Sequence, residues 1–259
     1  MTLSEFFFTP SLAAVSLVAA ASGLIGAFAL MKKMTLASDA ISHVALPGLG
    51  IAFLLKIHPL LGGFAALLLG AFLVWAIEEK TRIATETIIG VIFSASLAIG
   101  ALLTPQEELI ETLFGDFSPV GAGEALIGGF MAAIIVAAVL FLKDRLTLAV
   151  VSPDLGRTVG INVRLTNLFF LIIFSLNVLL GLEFLGGLLM GSLVIVPAAA
   201  AKNLAWSLRS DLWLSVLISL FSVHSGLLVA QLTDLPTGPV IISAASLLFF
   251  VSMLFRRQR

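Results

Sequence analysis

Apolar residues run in long, nearly unbroken blocks along this chain, and the polar stretches between them are short. Nine blocks stand out, at roughly residues 11–31, 36–56, 59–77, 85–104, 122–142, 165–182, 184–203, 210–232 and 239–255. Each is long enough to cross ~30 Å of hydrocarbon at ~1.5 Å per helical residue. The blocks are continuously apolar instead of alternating, which argues against the strands of a membrane barrel. The pattern therefore predicts an all-α, polytopic transmembrane bundle of 8–9 helices, organised as a single domain over residues 1–259. The lower number allows for 181-GLEFLGG-187, where Glu183 and three glycines mark either a turn between two spans or a bend within one.

Composition supports this picture. Hydrophobic residues make up 60% of the chain and charged residues 11%, with a mean hydropathy of +1.17. Soluble domains carry about 25% charged residues, so lipid is the solvent for most of this chain. No cysteine is present, which excludes disulfides, thiolate metal sites and thiol redox chemistry. The first block is preceded by Glu5 and by no Lys or Arg, and it is long for a signal-peptide core, so it reads as a span.

The net charge of −1 says little, because in a membrane protein the side on which each charge lies carries the meaning. If the loop after the first span is cytoplasmic, alternation puts 13 of the 14 basic residues on that side and leaves Lys56 alone outside. That asymmetry predicts an external N-terminus and a cytoplasmic C-terminus. The segment 105–123 then falls outside, with Glu107, Glu108, Glu111 and Asp116 and no basic residue. It reads first as a solvated loop, with cation gathering or partner docking as the alternative.

The longest cytoplasmic connection is 143-KDRLTLAVVSPDLGRTVGINVRLTN-167. Ser152-Pro153-Asp154 has the character of a helix start and Gly160 that of a stop, predicting a helix of about two turns at the membrane surface. Such an element suits a permease pressed by a cytoplasmic motor, and an ordinary amphipathic surface helix is the plainer reading.

Asp39, His43 and His224 fall inside predicted spans, where a charged group costs several kcal/mol and usually faces a pathway or a partner. Asp39 and His43 are four apart, hence on one helical face, roughly 9 and 15 Å from the basic boundary at Lys33 by helical rise. A carboxylate and a neutral imidazole suit Mn²⁺, Zn²⁺ or Fe²⁺ and not Cu⁺. Two ligands are too few alone; a homodimer with this helix near its axis supplies two Asp and two His. A structural intrahelical Asp-His hydrogen bond is the competing reading. Pro47 and Gly48, one turn on, predict a kink beside the pair, and such kinks are tolerated where a cavity or neighbouring protein satisfies the freed backbone groups. His224 has small neighbours, Ser222, Ser225 and Gly226, which favour a hydrogen-bonded packing histidine over a third pathway ligand. Gly187 and Gly191 form a GxxxG, read as a packing face.

No GxxxxGK[ST] occurs, so the chain carries no nucleotide-phosphate loop. Neither a nucleophile triad nor a nucleic-acid-binding pattern is visible, so no enzymatic role and no nucleic-acid partner is expected.

The run 32-KKMTLASDAISHVALPGLGIAFLL-55 resembles the signature of the metal ABC transporter permeases of the ABC-3 family. Further similar stretches follow in order: 88-IIGVIFS-94, 113-LFGD-116, 152-SPDLGRTVGI-161, 186-GGLLMGSLVIVPAAAA-201 and 234-DLPTGPVII-242. The resemblance implies a homodimeric permease in membrane lipid, two cytoplasmic ATPase subunits and an extracytoplasmic solute-binding protein that delivers the metal. It implies that Asp39 and His43 line the ion path, that no cofactor is held permanently, and that the element contacting the ATPase lies in Pro153, Asp154, Gly156, Arg157 and Gly160, within the coupling region 143–165. The family often has two adjacent acids where this chain has 85-TE-86, and His224 matches none of its motifs. An ion-coupled secondary transporter or channel, using Asp39 and His43 as a proton relay without a motor, is the alternative of a different class.

Overall fold

The computed structural model describes residues 10–34, 37–81, 83–104, 121–233 and 235–255. Among these, every regular element is a helix. We number them α1 (Pro10–Met31), α2 (Ala37–Val44), α3 (Leu46–Leu55), α4 (Pro59–Lys80), α5 (Thr85–Leu103), α6 (Ala122–Val151), α7 (Pro153–Thr158), α8 (Val163–Leu185), α9 (Gly187–Leu204), α10 (Leu208–Thr233) and α11 (Thr237–Leu254). Seven are long and apolar enough to cross a membrane; two shorter apolar stretches, Asp39–Leu55 and Leu189–Leu204, cover the other two predicted spans.

Two expectations are revised. The predicted span 36–56 is two helices, interrupted at Ala45. Pro47 stands at the start of α3 and has no N–H to give to the His43 carbonyl, which breaks the hydrogen-bond ladder there. Ala45 keeps helical angles, φ −68 and ψ −28, so the interruption lies mainly in the bonding. Gly48 sits inside α3 as a contact residue: it and Gly62 of α4 bring the two backbones so close that a Cβ on either would collide with the other's carbonyl oxygen. The connection expected from residue 143 is also shorter than its polarity suggested. α6 continues helically to Val151, because Leu146 and Ala149 remain buried along its inner face while charged residues take the outer one.

α1 lies at the centre, with 72% of its most apolar window buried, against 17% for α5 at the periphery. It packs on α6, α10 and α9. Apolar burial gives little drive between helices already in lipid, so close packing of small residues matters more. Phe28, Phe170 and Phe174 fill the widest gaps in the core. Several hydroxyls in the spans return to their own helix, as Ser16 to Leu12 O at 2.7 Å and Ser222 to Ile218 O at 2.7 Å, while Ser219 of α10 donates across to Ala19 O of α1 at 2.7 Å.

The ends of α1, α4, α5 and α8 meet at one pole of the bundle. There Lys32 Nζ donates to Asn167 Oδ1 at 2.7 Å, Arg164 pairs with Glu79 at 2.7 Å, and Thr85 donates to Glu78 at 2.8 Å. Burial pushes the Lys32 ammonium down from the ordinary lysine range, and the Glu78 carboxylate opposes that shift. This basic pole also carries α7.

Candidate functional site

α2 is a two-turn helix with Asp39 in its first turn and His43 in its last. It packs against α9, α5 and α8. Its local hydrogen bonding fixes the imidazole. His43 Nδ1 lies 2.9 Å from the main-chain carbonyl of Asp39, and Ser42 Oγ donates to the same carbonyl at 2.6 Å. A carbonyl only accepts, so Nδ1 carries the proton and Nε2 is left with its lone pair outward. The ring is held edge-on to Phe93 of α5, centroids 5.3 Å apart at 83°. Thus the interaction between the two residues runs from the ring to the Asp39 backbone, and the carboxylate stays out of it.

Asp39 is exposed and His43 half-buried on the isolated chain. Behind Asp39 the wall is Gly191 of α9, where an added Cβ would lie 3.1 Å from Asp39 Cα and 3.2 Å from its Oδ1. The GxxxG expected as a packing face thus contributes, through Gly191, the space in which Asp39 sits. Chemically the arrangement offers a carboxylate and an imidazole Nε2 on one face beside a hydrogen-bond gap at Ala45. Among the described residues no set of three or more His, Asp or Glu converges to hold an ion.

His224 belongs to a different contact, between α10 and α1. Its Nδ1 is 2.8 Å from Leu220 O and its Nε2 3.3 Å from Ser16 Oγ, so both ring nitrogens meet partners within the bundle.

At the basic pole, α7 runs from Pro153 to Thr158. Gly160, at φ +80, ends it: Ile161 N–H reaches Gly156 O at 2.9 Å and Gly160 N–H reaches Arg157 O at 3.1 Å, the paired bonds that close a helix through a left-handed residue. Gly156 is buried against Val163 and Leu148. Asp154 and Arg157 form an exposed pair at 3.0 Å. Val151, Leu155 and Val159, spaced by four, are 69%, 59% and 69% exposed. Val151 ends α6, Leu155 lies within α7 and Val159 follows it, so the three gather around α7 without sharing one helix; they were not singled out from sequence.

A second feature missed from sequence is Asn177, fully buried in α8, whose amide donates to Ser22 Oγ of α1 at 3.1 Å. The signal was a lone asparagine in an apolar span. The acidic segment 107–116, including the LFGD stretch, lies outside the described residues.

A many-helix bundle without strands among its described residues, a polar pair inside an apolar helix and a short surface helix at the basic pole define a multi-pass membrane permease. The model of the ABC 3 transport family matches residues 4–256, and the chain belongs to that family. It is 28% identical over 241 residues to the high-affinity zinc uptake system membrane protein ZnuB of Haemophilus influenzae, covering 91% of this chain and 92% of that one. It is 27% identical over 238 residues to the manganese transport system membrane protein MntC of Listeria innocua, covering 90% and 85%. Among solved structures, PsaBC from Streptococcus pneumoniae in complex with Fab matches at 26% identity with a TM-score of 0.81, covering 93% of this chain and 89% of that chain.

Proposed function

We propose that this chain is the membrane-spanning subunit of an ATP-binding-cassette importer for a divalent transition metal ion, Mn²⁺, Zn²⁺ or Fe²⁺. It works as a homodimer by alternating access, with its N-terminus outside and its C-terminus cytoplasmic in the bacterial inner membrane. Two ATPase subunits on separate chains drive it, and an extracytoplasmic solute-binding protein supplies the ion.

One observation carries this reading. Asp39 presents its carboxylate at the surface of a short helix set in an apolar stretch, next to a histidine whose Nε2 makes no hydrogen bond among the described residues. A carboxylate facing lipid is costly, so this face is covered by a second copy or opens on a water-filled path. In a dimer the two faces bring together two carboxylates and two imidazoles, a borderline ligand set that an ion can enter and leave. His224, with its Nδ1 bonded to Leu220 O and its Nε2 beside Ser16 inside the bundle, serves packing. The apolar face of α7, with Asp154 and Arg157 at its rim, suits the ATPase.

The test is metal uptake into proteoliposomes. Wild-type permease with its ATPase and binding protein transports only with ATP; Asp39→Ala and His43→Ala abolish uptake while dimer size and ATPase co-purification stay unchanged. ATP-independent uptake by this chain alone would make it a secondary transporter, and unaltered uptake in both variants would return the pair to a structural role.

A further inference from the structure

Helices α6 and α10 both pack on α1, and between them lies a groove of about 620 Å³. That volume falls in the ~300–1,000 Å³ range of ligand pockets. Its walls are apolar, with Leu24 of α1 as floor and Val136 and Val216 on opposite sides. Its polar residues lie at one end: Lys143 and Asp144 from α6, and Arg209 from the first turn of α10. Trp213, 60% exposed, stands one turn above Arg209. The order along the groove is therefore cations, then an indole, then aliphatic wall, which is the profile of one bilayer leaflet from headgroup to acyl chain. Gly129 of α6 packs beside Ala14, so Lys143 lies near the level where α1 ends, at the headgroup boundary.

We propose that this groove is a binding site for an anionic glycerophospholipid, with its phosphodiester on Lys143 and Arg209 and an acyl chain along the wall formed by Val136, Leu24 and Val216. Basic pockets between transmembrane helices recognise anionic headgroups in this way. Asp144 sets the selectivity: with two cations and one carboxylate the mouth carries a net charge of +1, which matches a monoanionic phosphodiester better than a headgroup bearing extra phosphates. Naming the leaflet as the cytoplasmic one rests on the orientation proposed above; the chemistry of the ligand does not.

Native mass spectrometry of the purified permease, titrated with phosphatidylglycerol or phosphatidylcholine, tests the site. Phosphatidylglycerol should be retained preferentially, and Lys143→Ala and Arg209→Ala should each lower its retention on the order of fivefold. Val216→Trp, which fills the groove and keeps both cations, should expel both lipids. Lys80→Ala with Lys202→Ala, charges at the same pole outside the groove, should change nothing. Equal retention of the two lipids overturns the proposal by removing any selectivity for the anionic headgroup, and equal loss in the Lys80/Lys202 variant overturns it in favour of diffuse surface charge. Trp213→Cys gives a chain with one cysteine, and its oxidative cross-linking to a second copy would overturn the proposal in favour of a protein interface. None of these readouts depends on metal transport.

Discussion

At the scale of single residues, the spacing of Asp39 and His43 was enough to place both on one face, because a four-residue step returns to the same side of any α-helix. Which atoms meet was not legible, since that depends on side-chain torsions. The ring bonds to the Asp39 carbonyl oxygen and leaves the carboxylate unengaged. The carboxylate is thereby left open for the ligand role proposed above. Gly191 shows the limit of motif reading: as half of a GxxxG it suggested helix packing, and its role is visible only once α9 is set against α2. A methyl there meets Asp39 Cα at 3.1 Å, tighter than normal contact, so α2 must shift by a few tenths of an ångström. Gly191→Ala should slow initial uptake severalfold, and Gly191→Leu should abolish it, with dimer size retained in both. Full uptake by the Leu variant would remove Asp39 from the path.

Between elements, the basic pole ties α7 to the rest of the bundle, the route along which the proposed ATPase contact would act. α8 begins five residues after α7 ends, capped by Asn162 accepting from Leu165 N at 3.1 Å. Its second residue, Arg164, pairs with Glu79 and takes the Trp75 indole N–H on its carbonyl at 3.1 Å. α7 is thereby tied to α4, and α4 packs on α3 through Gly62 and Gly48. The sequence announced α7 through Pro153 and Gly160, since a proline start and a glycine stop act locally. It did not announce the clasp, because Glu79 and Arg164 are far apart along the chain. The Arg164 side chain is 69% exposed, so the pair is screened and contributes at most ~1 kcal/mol to stability. Arg164→Ala should accordingly leave thermal unfolding within about 4 °C of wild type, given ~2–4 °C per kcal/mol for a chain of this size. ATP-driven uptake should nevertheless fall while the ATPase still co-purifies. Parallel loss of stability and uptake would mean that the pair holds the fold instead of transmitting motion.

For the whole molecule, the apolar blocks were readable because hydrocarbon thickness dictates block length, whereas hydropathy alone does not mark where the helices break, at Ala45 and at Gly186. Hydropathy counts apolar residues without seeing the missing N–H of Pro47 or the left-handed Gly186 at φ +80. Which outward faces meet lipid and which meet protein is likewise a property of the assembly. α5 is largely exposed and mostly apolar beyond its first turn, as lipid requires. The α7 face differs: it lies at the charged pole, where water competes, yet Val151, Leu155 and Val159 stay largely uncovered. Exposed aliphatic side chains gathered around α7 suit the docking surface proposed above, and the neighbouring pair of Asp154 and Arg157 would set its orientation more than its affinity. Leu155→Asp places a charge at the middle of that face without touching a buried side chain. Co-purification of the ATPase should drop at least tenfold, the loss of ~1.4 kcal/mol or more expected when a central apolar anchor is removed. Dimer size and anionic-lipid retention should persist, because the groove between α6 and α10 and the Asp39 face lie elsewhere on the molecule. ATPase binding undiminished by Leu155→Asp would move the motor's footprint away from α7 and leave its apolar face without a partner.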